Sequence, residues 1–128
     1  AQLDPRVASR AKLGQNVSAA DYLRMLKNRQ RWIQGVEAAL AGYDAILSPT
    51  VPNVAPELEL LTRDDDAFAA ANRIMLRNTF AINFLDGCSF SLPCQVAGEL
   101  PVGLMVSSVR GDDARLGSVA LAIEAALV

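Results

Sequence analysis

Residues able to do chemistry are scarce in this chain, and their absence is informative. The 128 residues contain no histidine. A serine or cysteine nucleophile therefore has no imidazole to take its proton, which excludes Ser-His-Asp and Cys-His mechanisms. A serine activated by lysine would need the amine held dry beside the hydroxyl. Lys12 and Lys27 are the only lysines, one before a long helical pattern and one on it among arginines and glutamine. Neither adjoins a Gly/Ser-rich turn that would present a hydroxyl beside backbone donors. The triplet Asp64-Asp65-Asp66 invites a metal-site reading, yet it matches no calcium loop and stands where a helix would begin. Cys88 and Cys94 lie in one extended segment, about 20 Å apart, too far to pair. With no histidine the ligands are too few for zinc, so both thiols read as packed apolar residues. No metal and no cofactor is expected.

The elements that would position anything functional are marked by prolines. Three short apolar runs stop at a proline or begin just after one: Asp44-Ala-Ile-Leu-Ser-Pro49-Thr50-Val-Pro52, Asn83-Phe-Leu-Asp-Gly-Cys-Ser-Phe-Ser-Leu-Pro93, and Leu100-Pro-Val-Gly-Leu-Met105. Ahead of them, Ser18 and Asp21 have the spacing of a helix start. Tyr22, Leu26, Ile33, Val36 and Leu40 then recur at helical intervals until Gly42. Ala45 to Ser48 reads as a short buried strand, and Asn53 to Thr62, with Pro56 and two glutamates, as an irregular loop. A second helix would start at the acidic triplet and run to about Phe80, with Phe68, Ala71, Ile74 or Met75, and Thr79 inside. Ser89 to Val96 and Val102 to Ser108 read as strands joined through Ala97-Gly98-Glu99 in a hairpin. Asp112 or Asp113 would cap a last helix carrying Leu116, Val119, Ile123 and Leu127. The predicted order is α-β-α-β-β-α.

Length allows one domain with a single core. Hydrophobic residues make up 52% and mean hydropathy is +0.22. That is apolar for a free-standing domain of this size and suits a segment of a larger core, although a small alanine-rich domain would look the same. The chain opens at Ala1 inside the lead-in to a helix, which also suits a segment. A net charge of -2 leaves no electrostatic footprint for nucleic acid. Arg24, Lys27, Arg29 and Arg31 would spread around a solvated helix face. No apolar stretch approaches a bilayer span and no secretory leader is visible. Cytoplasm is the default compartment.

In order and spacing, the proline-bounded runs resemble the C-terminal third of the amidase signature hydrolases. The matching residues are Asp44, Pro49, Thr50 and Pro52, then Thr79 and Asn83, then Ser91 and Pro93, and finally Pro101, Val102, Gly103 and Leu104. The likeness covers about Tyr43 to Ala126 well and the first helix more loosely. It implies an α/β fold, residues 1–128 forming one C-terminal piece of a large mixed sheet flanked by helices. It further implies a parent that hydrolyses linear amide C–N bonds through a serine acyl-enzyme. The Ser, cis-Ser and Lys of that chemistry belong to a Gly/Ser-rich region upstream in the family, so no catalytic residue is assigned here and the segment alone is expected to be inactive.

What the segment would supply is sheet strands and part of a substrate pocket. Loops leaving strand ends hold ligands in open α/β sheets, which points to Pro49, Thr50 and Val51 as lining, joined through the resemblance by Leu76 and Thr79. Asp44, Pro52, Asn83, Pro93 and Gly103 are the structural part of the pattern. The prolines serve equally well as strand terminators, and Asn83 as a buried amide fastening nearby backbone. Two departures stand out. The family's Gly-x-Pro turn reads Asp86-Gly87-Cys88, where Asp86 suits an Asx-type turn. The glutamine-transamidating branch carries an aspartate for the substrate's amino group where this chain has Leu76, which favours an apolar or aromatic acyl group instead. A binding or oligomerisation module derived from an amidase is the alternative. Strand edges and apolar faces left open would drive homo-oligomer formation.

Overall fold

Strand β3, Gly103–Ser108, is the axis of the molecule, which a computed structural model describes over residues 3–127. It lies between β1, Ile46–Pro49, and β2, Cys88–Pro93, and pairs antiparallel with both. Side chains alternate across the sheet. Leu104 and Val106 therefore share one face with their partners Leu92 and Phe90, while Met105 and Ser107 share the other with Ser91 and Ser89. The first face packs on α6, Asp113–Ala126, burying Leu92, Val106, Leu116 and Ala120 with Cys88, Val119 and Ile123 around them. The second face is lined with small hydroxyls, and the Ser89 and Ser107 Oγ atoms bond across it at 2.9 Å.

Helix α5, Arg77–Leu85, leads into β2 and contributes the buried Leu85. It ends at Asp86, which takes a left-handed backbone at φ 63°, and at Gly87, where an added Cβ would run into the Ser108 carbonyl oxygen. The expected Asx turn is thus replaced: Asp86 supplies the left-handed cap, and its carboxylate faces Arg110 at 3.4 Å.

The long helix appears as α2, Ala19–Ala39, with the Ser18 side chain accepting from the Asp21 amide. Gly42 follows at φ 88°. The hairpin also forms, with Glu99 N donating to Val96 O at 3.1 Å and Gly98 at φ 89°. Several boundaries differ from expectation. The predicted lead-in is a helix of its own, α1, Pro5–Lys12, capped by Asp4. The predicted loop from Asn53 to Thr62 contains α3, Leu58–Arg63, held by a Glu59–Arg63 pair at 2.7 Å. The single helix expected from the acidic triplet is two: α4, Asp65–Met75, and α5, with the break at Leu76. Asp64 caps α4 by accepting from the Asp66 and Ala67 amides, so the triplet is a helix start. Within α4, Met75 turns inward while Ile74 is exposed. In α6 the inner position expected for Leu127 goes to Ala120, and Leu127 lies past the helix end, 45% exposed.

Candidate functional site

The loop leaving β1 is tied down at every step. The Thr50 amide donates to the Gly103 carbonyl at 2.8 Å, and Thr50 Oγ1 meets Ser91 Oγ at 2.6 Å. Asn78, in the first turn of α5, donates from Nδ2 to the Pro49 carbonyl at 2.8 Å. A Cβ at Gly103 would stand 2.5 Å from Ser91 Oγ and 2.7 Å from Thr50 Oγ1. Glycine is therefore what lets the hydroxyl pair form above the strand. Pro93 lies across from Gly103 in the ladder, and Val51 and Pro52 are half-buried behind Thr50. Five residues singled out in the sequence, Pro49, Thr50, Ser91, Pro93 and Gly103, thus meet at one end of the sheet.

Other residues of the pattern are placed elsewhere. Thr79 is half-buried and its Oγ1 donates to the Leu76 carbonyl at 3.2 Å, within its own helix. Asn83 is exposed, its carbonyl accepting from the Asp86 amide; the amide that fastens a neighbouring element belongs to Asn78. Nothing in the strand-like pattern around Pro49 pointed to Asn78, because the contact spans 29 positions in sequence. Leu76 is 42% exposed and, with Arg10, Leu13, Arg73, Arg77 and Phe80, lines a cleft of about 450 Å³.

Asp44, two residues ahead of β1, faces the start of α6. Arg115 donates from Nη2 to the Asp44 carbonyl at 2.9 Å and lies 3.4 Å from its carboxylate. The same guanidinium grips Asp112 through Nη2 at 2.5 Å and Nε at 2.9 Å. Asp112 precedes α6 without capping it through its side chain. Its carboxylate is spent on Arg115 and on the hydroxyl of Ser108, which donates to it. Those two donors, Arg115 first, hold the Asp112 carboxyl below the usual aspartate range, and the same pairing raises the Arg115 pKa. Charge-assisted bonds of this fork geometry favour the ionised forms of both partners.

Two surface readings need correction. Arg29 is not only part of a solvated face: its Nε donates to the Phe84 carbonyl at 2.7 Å and its guanidinium sits 5.5 Å from the Phe84 ring centroid, beside Trp32. Cys94 is exposed rather than packed. Cys88 is partly buried, and burial followed by the nearby Asp113 charge pushes its thiol pKa up.

Among the described residues no hydrogen bond joins a serine hydroxyl to Lys12 or Lys27, both exposed. No cluster of possible metal ligands occurs among the described residues, and no helix there is long and apolar enough to cross a membrane.

The Amidase family model matches residues 1–116. The chain is 34% identical over 125 residues to a 2-amino-5-chloromuconic acid deaminase of Comamonas testosteroni, covering 97% of this chain and 27% of the relative. It is 32% identical over 105 residues to the A subunit of the glutamyl-tRNA(Gln) amidotransferase of Desulforamulus reducens, covering 82% and 21%. For the corresponding protein of Streptococcus pneumoniae the identity is 34% over 106 residues, covering 83% and 21%. The chain therefore spans about a fifth to a quarter of the length of these curated relatives. No solved structure gives a significant match.

Proposed function

This chain belongs to the amidase family, and we propose that it builds the non-catalytic wall of a hydrolase for linear amide C–N bonds. The observation carrying this reading is the convergence of the β1 loop, the β2–β3 strand ends and the first turn of α5 on Thr50. A hydroxyl-bearing rim fixed by hydrogen bonds from three segments can present convergent polar groups to a ligand. In the proposal a serine nucleophile and its lysine lie outside these residues, and the segment alone is inactive. In this reading Pro49, Thr50 and Val51 form the substrate wall, held in shape by Asn78, Pro52, Pro93 and Gly103, while Leu76 contributes through the separate cleft beside α4.

Relatives of both chemistries, deamination and amidotransfer, are similarly close. Leu76 argues for the hydrolytic side, since an alkyl side chain gains nothing from a substrate ammonium and favours an apolar or aromatic acyl group. Cytoplasmic residence is part of the same reading, supported by the unpaired thiols of Cys88 and Cys94.

The test is ammonia release from a panel of aliphatic and aromatic primary amides by the natural gene product containing this chain. The expected result is hydrolysis by that product and none by the 128 residues alone. Turnover by the short chain, or no turnover of any amide by the natural product, overturns the reading. The second reading, an oligomerisation module, is favoured by one observation: α2 buries no residue and leaves Tyr22, Leu23, Met25 and Leu26 exposed. A homo-oligomer by light scattering, together with an inactive natural product, would establish it.

A further inference from the structure

Most carboxylate-paired arginines of this chain sit away from the cleft beside Leu76. Arg6, Arg24, Arg63, Arg110 and Arg115 each have a carboxylate within ion-pair distance. Arg73 and Arg77 line the cleft, and among the described residues no carboxylate reaches either one. Arg10 lines it too, but shares the neighbouring surface with Asp65 and Asp66. Arg10 also has no carboxylate within ion-pair distance among the described residues, so three guanidiniums without an ion pair border the cleft. Arg73 and Arg77, on adjoining helix ends, are the two with no acidic residue on the surfaces they line.

Helix electrostatics explains only one of the two. Arg73 lies in the last turn of α4, where a cation is favoured. Arg77 opens α5, where the helix already presents positive charge and no side chain caps it. A cation gains nothing from α5 at that place, and its side-chain hydrogen bond is a long one, from Nε to Asn78 Oδ1 at 3.4 Å. Besides Arg10 and the polar Asn72, the rest of the lining is apolar, Leu13, Ala69, Leu76 and the 63%-exposed Phe80, which offers a ring face. The cleft's volume falls within the range of small-molecule sites.

We propose that Arg73 and Arg77 form an anion-holding end of this cleft, which takes an amide whose flat apolar body also carries a carboxylate. This rests on the amide-hydrolase reading above and adds the charged end that Leu76 alone does not reveal. The two guanidiniums would grip the carboxylate through paired N–H donors, with the apolar body lying on Phe80 and Leu76.

The test uses the natural gene product and two matched amides, benzamide and 4-carbamoylbenzoate. The expected result is a kcat/KM ratio favouring the carboxylate-bearing amide by about 10- to 100-fold. That ratio collapses in the R73Q/R77Q double variant and is partly restored in R73Q/R77K. Equal rates on the two amides, or a ratio unchanged in the double variant, overturns the inference while leaving the hydrolase reading standing. If neither amide is cleaved, calorimetric titration with benzoate separates the two ideas. Saturable binding lost in the double variant sustains the anion site without the hydrolase. Benzoate binding that survives the double substitution, or is absent from the start, overturns it.

Discussion

The sheet with α6 and the helical arm of α1 and α2 obey different rules. Along β3, Met105 through Ser108 are all buried, and Leu116 of α6 is 0% exposed. Along the 21 residues of α2 none is buried, although Tyr22, Leu23, Met25, Leu26 and Trp32 repeat on it. One region has its own core, with close-packed side chains that define a single arrangement. The other is attached along its C-terminal half, where Arg29 and Trp32 meet Phe84 and Ile33, Val36 and Leu40 are half-buried, and leaves Tyr22, Leu23, Met25 and Leu26 open. Amphipathic periodicity thus marks a face meant for burial without saying where its cover comes from.

Substitutions in the two regions should differ accordingly. The largest effect is expected for Leu116→Ala, which removes a fully buried side chain between α6 and the sheet. It should cost about 2–5 kcal/mol in urea unfolding; a loss below about 1 kcal/mol would mean that the sheet–α6 core is not what holds this region. Next comes Gly103→Ala, whose methyl would press on Ser91 Oγ and Thr50 Oγ1. Overpacking of that kind should cost about 1–3 kcal/mol, and Gly103→Ala combined with Ser91→Gly should recover part of it.

A third comparison uses pH. The Asp112 carboxyl is held below its ordinary value by Arg115 and Ser108. A lowered folded-state value contributes stability that is whole above the unfolded value, about 4, and is lost as pH falls through the folded one. Asp112→Asn should therefore lower Tm at neutral pH and flatten its decline between about pH 5 and 2, measured by circular dichroism. An acid limb of unchanged steepness would show that this clamp does not carry the linkage.

The smallest effect is expected in the arm. Leu23→Ser, at a site 59% exposed, should change the unfolding free energy of the chain by no more than about 0.5 kcal/mol. Under the oligomerisation reading it should nonetheless reduce self-association measured by light scattering. A destabilisation approaching that of Leu116→Ala would erase the distinction between the two regions.

Much of the fold was legible because it depends on local chemistry. Ser18 with Asp21, Asp64 ahead of α4, and Gly98 in the hairpin act within three or four residues, so spacing alone locates them. The break at Leu76 was hidden because the apolar pattern runs through it, and α3 because Pro56 and two glutamates read as loop. At the candidate site, Pro49, Thr50, Ser91 and Gly103 were visible as a family-like pattern. Asn78 and Arg115 were not, since their partners lie 29 and 71 positions away and a polar helical residue looks like any other until its neighbour is known.

By itself, then, the sequence determined the mixed α/β class, the capped helix starts, the hairpin and the family, because each follows from short-range stereochemistry or an ordered string of residues. It also determined that no histidine-based mechanism operates within these residues. Tertiary structure alone decided that Thr50, Ser91 and Gly103 meet at one end of a three-stranded sheet, that Asp112 serves Arg115 instead of its helix, and that Arg73 and Arg77 share a cleft with Phe80. These are contacts between distant segments. They form only when burial of β3 against α6 brings the segments together and makes each polar group find a partner, a choice that no local pattern encodes.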